Sequence, residues 1–354
     1  MMHVRQPSAG MGPSLGSSSS LAEDARLLEH LSRLRNRVLL LIGDSSLRNQ
    51  FMQLMRVGLS IDRGMPAAKA LSEHAYLGHV SLSNAIRQPE RPDSSHGFWG
   101  GFDWIVASTP SNATFVYAKH WGCSDLRAVV QRVRLAARRH RQRSGGFGGW
   151  PPDLVLWNFG LHLLHVYPAR PVPTASVRCA LAYEVLLSDS ARVLRTELPS
   201  TQLVYRTTNA VCDARFSGPW AAAARAYHCA AAAKPDSSAT HAQTSRHGQC
   251  QTERGARIVH SCRRRYNLSS SSCVTSFMDE PNSRSQMRMA RAALLRPRGS
   301  AVRVELLDAF ALTEGRCDAT VDGRHYPRLL AQINAQFLEQ ARWLGGRYPA
   351  MGKG

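Results

Sequence analysis

A chain of 354 residues with 44% apolar residues can bury one large α/β domain carrying an insertion, or two small domains. Lys and Arg number 45 against 25 Asp and Glu, a formal net charge of +20, which raises the question of a polyanionic partner. The basic residues are mostly Arg scattered among Ala, and the dense clusters Arg132 to Arg143 and Arg263 to Arg265 lack the interleaved aromatic residues on which bases stack, which argues against nucleic acid.

From Met1 to Ser20 the chain is rich in Gly and Ser, without the apolar run of a signal peptide or anchor, and no later stretch approaches the roughly 20 apolar residues of a membrane span. Leu27, Leu28, Leu31 and Leu34 fall at near-helical spacing, so residues 1–35 read as a polar tail and a leading helix, Leu21 to Arg35. Val38 to Ile42 is a continuous apolar run, as expected of a strand buried on both faces of a parallel sheet. A turn, Gly43-Asp44-Ser45, and a helix over Leu47 to Leu59 follow it. Further strands are expected at Trp104 to Ala107, Leu154 to Asn158, Gln202 to Arg206 and Val302 to Leu306, with helices at Leu126 to Arg141 and Ser176 to Arg195. This alternation predicts an α/β fold, a three-layer α/β/α sandwich with a mostly parallel central sheet. Residues 36–212 form its first part, and residues 301–350 add the last strand, a loop and the final helix, Arg328 to Leu344. Residues 213–300 read as an insertion: an Ala-rich run from Ala221 to Ala233, then a flexible surface stretch from Lys234 to Ser285 with too few apolar residues for a core, then a helix from Ser285 to Leu295.

Eight cysteines, Cys123, Cys179, Cys212, Cys229, Cys250, Cys262, Cys273 and Cys317, show no CxxC and no paired metal-ligand spacing, so neither a structural zinc nor any other metal or cofactor is expected. Their even number, with the sequons Asn112-Ala-Thr and Asn267-Leu-Ser, suits a secretory compartment with some disulfides.

Three segments carry possible chemistry. Ser45 stands on a strand-to-helix turn, where a hydroxyl emerges at the carboxyl edge of the sheet beside a helix N-terminus suited to a developing oxyanion. The alternative is that Ser45 or Ser46 merely caps the helix. Asp322 and His325 lie three residues apart on one loop ahead of the final helix, so a carboxylate could orient an imidazole there as a general base. Alternatively, Asp322 is a turn residue before Gly323, and His325 a surface histidine. Asn158 and Gly160 follow a strand, where an amide could donate to an oxyanion and a glycine admits close approach; a structural turn is the alternative. His162 and His165 have no evident partners.

The pattern Gly43-Asp44-Ser45-x-x-Arg48-Asn49, the middle Asn158-x-Gly160 and the terminal Asp322-x-x-His325 together resemble the SGNH/GDSL hydrolase superfamily. More narrowly they resemble its PC-esterase branch of trichome-birefringence-like and sialate O-acetyltransferase-like proteins. The resemblance covers about Arg37 to Asn209 and Val302 to Leu344, and Arg206-Thr-Thr-Asn209 looks like a segment lining the active-site side. It implies an esterase or O-acyltransferase with Ser45 as nucleophile, His325 as base and Asp322 as its orienting partner. Arg48, Asn49, Asn158 and Gly160 would serve the oxyanion and substrate pocket. The implied substrate is an acetylated carbohydrate or other ester, with a separate acyl-donor partner possible and a Golgi or other secretory location suggested. The order Asn-x-Gly, where many hydrolytic relatives carry Gly-x-Asn-Asp, fits the PC-esterase branch; Tyr326-Pro327 after the histidine departs from the plant enzymes, which often carry Trp there. A catalytically inactive glycan-binding protein of the same fold is the competing expectation.

Overall fold

The structure, a computed structural model, describes residues 21–58, 104–108, 113–120, 125–144, 150–164, 183–216, 278–295 and 304–342. Six strands form one sheet: β1 (Val38–Gly43), β2 (Trp104–Ser108), β3 (Thr114–Lys119), β4 (Leu154–Trp157), β5 (Gln202–Arg206) and β6 (Val304–Leu307), in the order β2-β3-β1-β4-β5-β6. β2 is antiparallel to β3, and the remaining neighbours pair in parallel, so five strands run one way. The expected three-layer α/β/α architecture is therefore the observed one.

Side chains on a strand alternate between faces, and a sheet covered on both sides needs apolar residues at every position. β1 shows this directly, with all six of its residues buried. Leu39 and Leu41, with Phe115, Leu154, Leu156 and Val204, pack against α1 (Leu21–Ser32), α2 (Ser45–Gly58) and the final long helix. Val38, Leu40 and Ile42, with Val116, Val155, Trp157 and Tyr205, face the opposite layer. That layer holds α3 (Leu126–Ser144), α4 (Tyr183–Glu197) and α5 (Glu280–Leu295). α6 (Ala309–Thr313) follows β6, and α7 (Leu330–Arg342) closes the first layer.

Among the differences from expectation, three bear on the site and its supports. β3 has no counterpart in the sequence reading, although it lies beside β1 and all but its last residue is buried. α5 begins at Glu280, inside the stretch expected to be a flexible insertion, because Asp279 caps it by accepting from the Asn282 amide at 2.8 Å and Met278 is buried. α2 begins at Ser45, two residues earlier than expected, because Asp44 is its cap: Asp44 Oδ1 accepts from the Ser46 amide at 2.8 Å. The remainder of the expected insertion, residues 217–277, and the expected start of the helix at Ser176 lie outside the described residues.

After β1 the chain crosses to β3 on one side, and it later returns to place β4 on the other. The carboxyl ends of β1 and β4 thus flank the point where the strand order reverses, the position at which open α/β sheets form their ligand crevice.

Candidate active site

The turn leaving β1 is held from behind by β3. The Tyr117 hydroxyl lies 2.9 Å from the Gly43 carbonyl oxygen and 3.2 Å from that of Asp44, and the His120 amide donates to Gly43 at 2.9 Å. Gly43 has no room for a side chain, since a Cβ there would stand 2.9 Å from the Asn158 carbonyl oxygen and from Leu47. With Asp44 as the cap, Ser45 is the first helical residue and is not itself the cap. Its half-buried side chain sits at the positive end of the α2 dipole.

The second half of the site has almost no regular structure. Between α6 and α7 the chain makes two single 3₁₀ turns, Cys317–Ala319 and Pro327–Leu329, with Asp322 and His325 between them. Asp322 Oδ1 accepts from the backbone amides of Arg324 (3.0 Å) and His325 (2.8 Å), a side-chain turn closed over Gly323, whose φ of 77° no β-branched residue would adopt comfortably. Asp322 Oδ2 stands 2.6 Å from His325 Nδ1, and His325 Nε2 stands 2.8 Å from Ser45 Oγ. An ionised carboxylate only accepts, so Nδ1 carries the proton and Nε2 presents its lone pair to the serine hydroxyl. The carboxylate is ionised for a physical reason. Burial pushes the Asp322 carboxyl up, but the hydrogen bond and charge of His325, its amide and the Arg324 guanidinium together hold it well below the usual carboxylate range.

A seven-residue arch leaving β5, residues 206–212, carries this loop. Asn209 Nδ2 donates to the Arg324 carbonyl at 2.8 Å, and the Cys212 amide donates to that of Gly323 at 2.8 Å. A disulfide joins Cys212 to Cys317, 105 residues apart. The arch is anchored in turn by Arg206, fully buried, which donates to Asn209 Oδ1 at 2.7 Å and to the Thr207 carbonyl at 3.2 Å. Burial pulls the Arg206 guanidinium down to about 10, opposed by the negative charge of Asp44. The Ala210 amide donates to Thr313 Oγ1, and that of Val211 to Ser283 Oγ. The other six cysteines lie outside the described residues.

Ser45, Asp322 and His325 thus come together as one hydrogen-bonded relay. Arg48 and Asn49 lie three and four residues beyond Ser45 on α2, half-buried on the same helical face, and the Arg48 charge reaches Tyr117. Asn158 is placed differently from expectation: fully buried, it donates through Nδ2 to the Arg206 carbonyl at 3.1 Å. In this geometry it braces β4 to β5. Gly160 has a φ of 144° and no space for a Cβ, which would meet Thr208 and the Tyr183 hydroxyl. Tyr205 holds the Phe159 carbonyl at 2.7 Å with the Tyr183 hydroxyl alongside, and Gln286 donates to the Gly160 carbonyl at 3.0 Å. His162 lies in the short 3₁₀ turn after Gly160, its side chain outside the description, and His165 lies outside the described residues.

Sequence reasoning missed Tyr117, the cap Asp44, the brace Gln286 and the pairing of Cys212 with Cys317. Asn209 was visible only through the Arg206-Thr-Thr-Asn209 resemblance. Among the described residues no cluster of His, Cys, Asp and Glu could hold a metal, and no helix is long and apolar enough to cross a membrane.

What these features define is an α/β sandwich with a serine, a histidine and an aspartate linked in series at the carboxyl edge of its sheet. No protein-family model matches the chain, and no curated protein does. Among solved structures, a candidate GDSL-like lipase from Parabacteroides merdae is similar to it with a TM-score of 0.32 and 11% identity, over 88% of this chain and 97% of that one. A likeness that slight defines no shared site, and the fold class stands on strand order and pairing.

Proposed function

We propose that this chain is a serine-dependent acyl-transfer enzyme of the SGNH type, and within it a carbohydrate O-acetyltransferase or O-acetyl esterase. The observation that carries the reading is the relay from Ser45 Oγ to His325 Nε2 (2.8 Å) and from His325 Nδ1 to Asp322 (2.6 Å). Ser45 Oγ attacks the ester carbonyl as its proton passes to His325 Nε2. The carbonyl oxygen, now negative, is favoured by the α2 N-terminus and by the Arg48 charge. Collapse breaks the ester bond, the departing alkoxide takes the proton from His325, and the acyl group stays on Ser45. Water or a sugar hydroxyl then gives its proton to His325 as it attacks the acyl carbon, and on collapse the bond to Ser45 Oγ breaks while His325 returns that proton to it. Asp322 stays ionised throughout and stabilises the imidazolium.

The carbohydrate assignment and the PC-esterase branch rest on the resemblance of Gly43-Asp44-Ser45-x-x-Arg48-Asn49 and Asn158-x-Gly160 alone. A transferase would draw its acetyl group from a separate partner or a soluble donor. The Cys212–Cys317 disulfide supports an oxidising compartment such as the secretory pathway.

A fluorophosphonate probe should label the protein at Ser45, and Ser45→Ala should lose the label together with about 10⁴-fold or more of its turnover of a small acetyl ester. Undiminished turnover by Ser45→Ala would overturn the reading. Product analysis with an acetyl donor and a panel of sugars separates transfer from hydrolysis.

A further inference from the structure

We propose that Asn209 is a positioning residue for His325, acting through the peptide that joins Arg324 to His325. The inference rests on the reading of His325 as general base, and its geometry is local. The Arg324–His325 peptide is held at both ends: its N–H donates to Asp322 Oδ1 at 2.8 Å, and its carbonyl accepts from Asn209 Nδ2 at 2.8 Å. Two opposed hydrogen bonds fix the plane of a peptide, and this plane sets the direction in which the His325 Cα–Cβ bond leaves the chain. Asp322 alone would leave it free to rock, because both belong to the same short turn.

Asn209 comes from another element, β5's extension, and is itself fixed. Its Oδ1 accepts from the fully buried Arg206 guanidinium at 2.7 Å, and Asn209 is 3% exposed. An amide is the only side chain of this size that can accept from a guanidinium with one atom while donating to a carbonyl with the other. Arg206 closes the circuit, since its own carbonyl accepts from Asn158 Nδ2 at 3.1 Å. The ends of β4 and β5 and the His325 loop therefore share one buried hydrogen-bond chain.

The chemistry of the two amide atoms supplies a discriminating pair of variants. Asn209→Ala removes both bonds. Asn209→Asp keeps the acceptor for Arg206, so the arch stays anchored, but sets a carboxylate oxygen against the Arg324 carbonyl in place of the donor. If Asn209 only stabilises the arch, Asn209→Asp behaves as wild type. If it positions His325, both variants lose function. The expected result for each is a fall of about 10- to 100-fold in kcat on a small acetyl ester, with KM changed less than about threefold and fluorophosphonate labelling slowed in step.

A second readout needs no turnover. The proton shared by His325 Nδ1 and Asp322 should give a far-downfield proton NMR signal, absent from Asp322→Asn, and both Asn209 variants should shift or broaden it while retaining a cooperative thermal transition. An unchanged signal, or a kcat within about twofold of wild type in Asn209→Asp, overturns the positioning role. Should wild type hydrolyse no ester, the enzymatic reading falls while the proton signal still decides whether Asn209 aims His325.

Discussion

The two halves of the site are built in opposite ways. The serine side is local and rigid by construction: strand β1, the single residue Asp44 and helix α2 follow one another in sequence, at the centre of the sheet and with every β1 residue buried. The histidine side spans α6 to α7 with only two single 3₁₀ turns, and takes its shape from ties to residues 206–212 about 100 positions away in sequence. A backbone ladder holds the first half, whereas individual side chains, one disulfide and two left-handed glycines hold the second. Perturbations remote from Ser45 should therefore act on the imidazole before they act on the serine.

The largest effect distinguishing the halves is expected from the Cys212–Cys317 bond. Closing a long loop limits the unfolded chain, and losing such a bond costs about 2–4 kcal/mol. Cys317→Ser should lower thermal stability accordingly and also depress ester turnover, because Cys212 is the residue whose amide holds Gly323. Phosphonate labelling of the variant, followed with time below its melting temperature, separates a slackened His325 loop from global unfolding. Wild-type labelling kinetics there would place the disulfide's role in stability alone.

Next in size is a contrast between two glycines of the same loop. Gly323 and Gly315 both adopt positive φ, 77° and 71°. A Cβ at Gly315 meets nothing within 4 Å, whereas at Gly323 it would run into the Cys212 carbonyl and the Phe216 ring. Gly315→Ala should cost only the conformational penalty of about 1–2 kcal/mol. Gly323→Ala adds a backbone collision within two residues of His325, so it should be the more destabilised of the two and the only one to lose much kcat. Chemical denaturation and steady-state kinetics on the pair read both numbers, and equal losses would show that the loop yields without moving the imidazole.

The same asymmetry governs what could be read from the sequence. Ser45 was legible because its whole setting is contiguous: an apolar run that can only be a buried strand, then Gly-Asp-Ser, then a helical period. Asp322 and His325 were legible as a pair three residues apart, since a carboxylate turn and its imidazole fit in one short segment. β3 was not, because Thr114 to Lys119 follows a Ser/Asn/Pro-rich stretch and its burial depends on pairing with β1, a partner more than 70 residues earlier. Asn209 lies 115 residues from the carbonyl it holds, and eight cysteines admit on the order of 100 pairings, so neither tie has a periodic signature. α5 was misplaced for a simpler reason: Asp279 and Pro281 are start signals, hidden by the polar stretch before them. Asn158 was correctly placed at the end of β4, but whether its amide faces a ligand or the neighbouring carbonyl is decided by β5, which no local pattern encodes.

The smallest expected effect tests whether charge, as well as these ties, holds the histidine side. The Asp322 carboxyl lies below its ordinary value of 3.8 in the folded protein, burial notwithstanding, because His325 and Arg324 favour its ionised form. A carboxyl depressed by folding stabilises the fold above its unfolded value, and that contribution is lost as the pH falls through 3.8 toward the lower folded value. Asp322→Asn has no such group to titrate. The melting-temperature gap between wild type and Asp322→Asn should therefore begin to close once the pH drops below about 4. Partial exposure keeps the gap modest, and added salt should shrink it further. A gap that persists unchanged into acid would mean that Asn209, Cys212 and the disulfide fix the loop by themselves, with the Asp322 charge serving the imidazolium and not the fold.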